Sequence, residues 1–137
     1  MTFATEVTAA LLDGRVLAES LMVDTCTVAP VTGVDESTGA PTLGTAVYTG
    51  RCKVQTSQAQ EANPEAGGAT YTVQRYSVHV PVPETNAGYK PVVGHVVTIT
   101  AVHAQGDPHL VGRQYRVVAP PHKTLPTAYR LAVEEMP

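Results

Sequence analysis

The sequence predicts a mainly β protein: a small antiparallel β-barrel of about six strands, preceded by one N-terminal α-helix. Three observations carry this. Apolar residues recur at spacings of three and four only over residues 3–22, and from there to residue 135 the period in each run is two. Val, Ala and Thr fill the apolar runs more than Leu and Phe do, and β-branched side chains suit a pleated, half-buried surface. Eleven Gly and eleven Pro supply frequent turns. At 137 residues the length fits a single domain, 1–137, that can bury a core without disulfide or metal staples.

Residues 3–22, FATEVTAALLDGRVLAESLM, place Phe3, Val7, Ala10, Leu17 and Leu21 on one helical stripe, with Gly14 in the remaining position. A glycine there costs about 1 kcal/mol relative to Ala, so it marks a break, a close backbone contact or a tolerated defect. The barrel is expected over 23–135. In MVDTCTVAP, Met22, Cys26 and Val28 share a face with Asp24. The turn-rich stretch VTGVDESTGAPTLG then separates this strand from AVYTGRCKVQ, whose Tyr48, Cys52 and Val54 oppose Arg51 and Lys53. The two strands form a hairpin with a long connection.

A polar, Gly- and Ala-rich loop is expected at 56–70, long enough to be functional. In the following strand, YTVQRYSVHVPVP, the apolar parity changes near Gln74, as a β-bulge would make it, and Pro81 and Pro83 end the pairing. Three more strands follow, with Val97, Ile99 and Ala101 inward in the first, Tyr115, Val117 and Ala119 on one face of the second, and Tyr129, Leu131 and Val133 inward in the third.

Cys26 and Cys52 lie in alternating runs and read as buried free thiols, with an inter-strand bridge as the alternative; they have no CxxC spacing for zinc. The five histidines form neither HxH nor HExxH, so no metal or other cofactor is expected. There is no GxSxG turn and no phosphate-cradling glycine loop, and the adjacent carboxylates Asp35–Glu36 and Glu134–Glu135 would point to opposite faces of a strand. The sequence therefore predicts no enzyme. The N-terminus shows no basic-then-apolar leader and no run is long enough to span a membrane, so the chain is expected to be made and kept in a cytoplasm.

The C-terminal stretch carries Arg113, Arg116, Lys123 and Arg130 with no acidic residue among them, while residues 1–40 hold six carboxylates against Arg15 alone. A net charge of −3 does not suit a module that seeks polyanions. Arg113 and Arg116 are three apart on a strand and face opposite ways, so they cannot form one phosphate clamp. A chain acidic at one end and basic at the other tends to meet copies of itself or stacked partners. The basic residues are thus candidate interface residues.

The order of GRVLAESLMVDTCTV, the STG turn, VYTGRCKVQ, VVGHVVTIT and DPHLVGRQYRVVAPPHKTLPTAYRLAVEE resembles the head-to-tail stopper, or head closure, proteins of long-tailed actinobacterial phages, over nearly the whole chain. The resemblance implies a homo-oligomeric ring below the portal and adaptor, assembled into virions in the bacterial host. Such a ring closes the DNA-filled capsid and offers a docking face to the tail terminator or tail tube. It also implies a channel-plugging loop, for which 56–70 is the match by position. Gln58, Gln60, Glu61, Asn63 and Glu65 with Gly67 and Gly68 would block packaged double-stranded DNA without adhering to it, since no Lys or Arg is present to displace phosphate counterions. The alternatives are a tail terminator or another connector-ring protein and, in a different class, an OB-like nucleic-acid-binding domain.

Overall fold

The computed structural model describes residues 3–60, 73–84 and 88–136. In chain order the elements are α1 (Phe3–Ser20), β1 (Asp24–Ala29), β2 (Val31–Val34), β3 (Pro41–Leu43), β4 (Tyr48–Gln60), β5 (Val73–Val80), β6 (Val96–Ala101), β7 (Gln114–Ala119) and β8 (Tyr129–Glu135), with a short 3-10 turn at Pro108–Leu110. Six strands close into an antiparallel barrel in the order β1-β4-β5-β8-β7-β6, and β1 pairs back onto β6. Closure removes the unpaired edges that an open sheet of this size would expose. The expected fold class is the one observed.

The period-two pattern works because each barrel strand has one dry and one wet face. Cys26 and Val28, Val78 and Val80, Val97 and Ile99, Tyr115 and Val117, and Leu131 and Val133 fill the interior with almost no exposure. Met22, Val96 and Tyr89 are also buried. Ala101, expected inward, and Ala119, expected on the face of Tyr115 and Val117, are exposed: each ends its strand, beyond the layers that the interior fills. Cys26 and Cys52 are both free and buried.

The turn-rich stretch is not only turn. Its ends pair as β2 and β3, a small two-stranded sheet apart from the barrel, around a turn in which Asp35 accepts from the backbone N–H of Ser37 at 2.9 Å and from its hydroxyl at 2.7 Å. Gly39 closes that turn at φ 74°, a conformation that favours glycine. All four residues of β2 are exposed, so no alternation betrays it in the sequence.

Helix α1 forms where the three-and-four spacing predicts it, ending two residues earlier at Ser20. Its orientation differs from expectation. Val7, Leu11, Gly14, Arg15 and Ala18 are half-buried toward the barrel, whereas Ala10, Leu17 and Leu21 on the predicted stripe are exposed. Gly14 sets this placement. A Cβ on Gly14 would lie 3.0 Å from the Thr127 methyl, so the glycine lets the helix backbone come close to the segment before β8. Two hydrogen bonds hold it there: Arg15 Nε donates to Pro126 O at 3.1 Å and Arg51 donates to Glu19 O at 3.3 Å.

Candidate functional site

Two features stand out from the barrel, and the first is the β4–β5 hairpin. β4 runs for 13 residues against six in β1. It pairs with β1 over Tyr48–Cys52 and then with β5 over Lys53–Gln60. β8 in turn pairs with β5 only from Tyr76 to Val80. Beyond those limits, residues 57–60 and 73–75 pair only with each other, as a two-stranded ribbon that leaves the barrel wall. At about 3.3 Å per residue, four residues carry it roughly 13 Å. The register shifts between Ser57 and Gln60, opposite Arg75 and Val73. The irregularity expected near Gln74 is therefore present at that level, with the extra residue in β4.

This changes the start of the predicted loop, because residues 56–60 continue β4. Gln58 and Gln60 lie in the ribbon. Glu61, Asn63, Glu65, Gly67 and Gly68 lie outside the described residues.

The second feature is a groove of about 720 Å³ between α1 and the outer face of β4, β5 and β8. Gly14, Leu17, Ala18 and Leu21 make its apolar wall, and Lys53, Gln55, Thr56, Ser77, His79 and Arg130 its polar one. Lys53, His79 and Arg130 are direct cross-strand partners, so they form one row across three strands. No sequence signal marks this row. Lys53 and Arg130 are far apart in the chain, and only the register of both pairings brings them to His79.

Burial, with the charges of Arg130 and Lys53 beside it, holds the His79 imidazole down at about 4. Ser77 Oγ and His79 Nε2 lie 3.2 Å apart. That contact resembles half of a catalytic triad, but among the described residues no carboxylate lines the groove to orient the imidazole. A base held so low takes a serine proton poorly.

The four candidate interface residues do not form one patch. Arg113 pairs with Glu135 and Arg116 with Glu134. Arg116 and Glu134 are register partners on β7 and β8, and Glu135 is opposite Tyr115 one position along. The two ion pairs therefore point to opposite faces, as the spacing predicts. Arg113 sits at the end of the barrel, in a depression of about 490 Å³ shared with Tyr76, Leu110 and Tyr115. Lys123 and Arg130 do come together, lining a shallow depression of about 230 Å³ with Pro120, Pro121 and His122. Neither makes an ion pair among the described residues.

The described tyrosines are largely interior. Tyr89 and Tyr115 are buried, and Tyr48, Tyr76 and Tyr129 pack partly buried against the core. Tyr89 stands 5.6 Å from Tyr48 and 6.5 Å from His95, ring centre to ring centre. Its hydroxyl and His95 Nδ1 are buried without a hydrogen-bond partner among the described residues. Burial raises the hydroxyl's pKa and lowers that of His95, which favours the neutral form of both. Among the described residues no group of three or more His, Cys, Asp or Glu converges on a metal-sized site. No described helix is long and apolar enough to cross a membrane.

Fold and surfaces together define a class: a small closed antiparallel barrel with a helix laid along its outside and one hairpin extended past its wall. Within that class the chain belongs to the family described as Family of unknown function (DUF6093), whose model matches residues 14–134. The match runs from the helix glycine into the last barrel strand. No curated protein and no solved structure matches the chain.

Proposed function

We propose that the chain is a structural virion protein, a head-to-tail stopper. Copies form a ring below the portal and adaptor, close the DNA-filled capsid and present a docking face to the tail. The protein acts by shape and surface fit and is not an enzyme. The observation that carries the reading is the β4–β5 ribbon. It is a two-stranded arm leaving a closed barrel, and it leads into a segment with no Lys or Arg between residues 56 and 70. A plug that holds DNA back and later lets it pass must obstruct without adhering, and each basic contact to phosphate would strengthen adhesion.

The interior packing of Tyr48, Tyr76, Tyr89, Tyr115 and Tyr129 supports this reading over an OB-like nucleic-acid-binding domain. Base stacking needs exposed aromatic faces on a basic groove, and the groove beside α1, though it carries Lys53 and Arg130, is lined by no aromatic side chain among the described residues. The test is deletion of residues 58–68. Rings should still assemble on heads, and the packaged genomes should leak. Full DNA retention by such heads would contradict the plug and favour a tail terminator or another connector ring.

A further inference from the structure

We propose that the outer face of helix α1 in one copy docks into the groove between α1 and the barrel of a second copy, so that copies join head to tail. Helix α1 is apolar on more than its barrel side. Leu12 and Val16 are 52% and 68% exposed, and no described residue of the same chain covers them. Leu12 and Val16 are four apart and share one ridge. Asp13 and Glu6, seven apart on the flank of that ridge, are exposed carboxylates.

The groove is the chemical complement of that ridge. Leu17 and Leu21 offer an apolar wall, and Lys53 and Arg130 on the opposite wall carry positive charge, with no acidic residue among the described residues lining the site. Neither cation is in an ion pair among the described residues. An apolar ridge edged by carboxylates therefore meets an apolar wall faced by cations, an arrangement that fixes register between copies. The ridge cannot fill its own groove, because α1 forms that groove's rim. Face and groove are different surfaces, so every copy offers both. Such heterologous contacts close into rings when the rotation allows. The inference supplies the contact between copies that the stopper reading needs, and it rests on that reading only for closure of the ring.

The test measures self-association of the full chain by sedimentation. Val16→Glu, Asp13→Lys and Arg130→Glu all alter exposed side chains, and circular dichroism with thermal unfolding confirms that each variant is folded. The wild type should associate, more weakly as salt rises. Each single variant should associate at least about tenfold more weakly, roughly 1.4 kcal/mol. Asp13→Lys combined with Arg130→Glu should recover most of the loss. A wild type that stays monomeric at millimolar concentration overturns the proposal, as do single variants that associate like the wild type or a charge swap that restores nothing. Association by another surface would sink the docking and leave the ring reading standing. Docking that holds while ribbon-deleted heads keep their DNA would sink the stopper reading alone.

Discussion

The same substitution at two leucines separates the barrel from the helix energetically. Leu131 is fully buried in the barrel interior, and Leu17 is 67% exposed on α1. Truncating a buried leucine removes its transfer free energy and leaves a cavity that the wall only partly closes, so Leu131→Ala should cost about 2–5 kcal/mol. At about 2.1 cal/mol/K of unfolding entropy per residue over 137 residues, that lowers the melting temperature by roughly 7–17 °C. Leu17→Ala removes little buried surface and installs the best helix former, so its effect should stay within about 0.5 kcal/mol.

Urea unfolding followed by tyrosine fluorescence reads both variants, since the chain has no tryptophan. Both are measured at one dilute protein concentration so that association does not add to apparent stability. A loss above about 2 kcal/mol for Leu17→Ala would refute the reasoning, because it would mean that this face of the helix is packed within a single copy.

Three further outcomes follow from the structure. His79 is held below its unfolded value of 6.5, at about 4, so the unfolded chain takes up its proton first as the pH falls. The stability that His79 contributes is complete above pH 6.5 and declines toward pH 4, by on the order of 1–2 kcal/mol once its solvent contact is discounted; His79→Gln should remove that slope from a stability–pH curve, and an unchanged slope would place its origin elsewhere. Contact with Cys26 and burial push the Cys52 thiol far up, so both thiols should resist alkylation in the native protein and react together on unfolding; rapid native labelling of either would contradict the packed interior. The Arg116–Glu134 pair is about half exposed at both ends, so a double-mutant cycle on it should give no more than about 1 kcal/mol, and a larger coupling would show that the pair is shielded from water.

The barrel was legible because alternation is a direct consequence of a wall with one dry face. Cys26 with Val28, Tyr115 with Val117 and Leu131 with Val133 fall inward as their spacing requires. Alternation does not show where a strand outruns the core, which is why Ala101 and Ala119 turn out exposed. Nor does it reveal β2 and β3, since β2 buries nothing. The helix was legible as a helix but not in its rotation. Apolar residues cover more than one side of it, and the close approach at Gly14, which no periodicity encodes, decides which side meets the barrel.

Of the candidate interface residues, charge alone could not say that Arg113 and Arg116 are already paired with Glu135 and Glu134. The Lys53–His79–Arg130 row depends on the register of three strands and has no local signature.

If copies of this chain close a DNA-filled head by fit alone, they must seat and seal without any other component. The most direct measurement adds the purified chain to DNA-filled, tail-less heads that lack it, then counts bound copies and nuclease-protected genomes. The account predicts several copies seated together at one vertex and a rise in protected DNA. A chain that stays free of the heads, or binds them without protecting the genome, would contradict it.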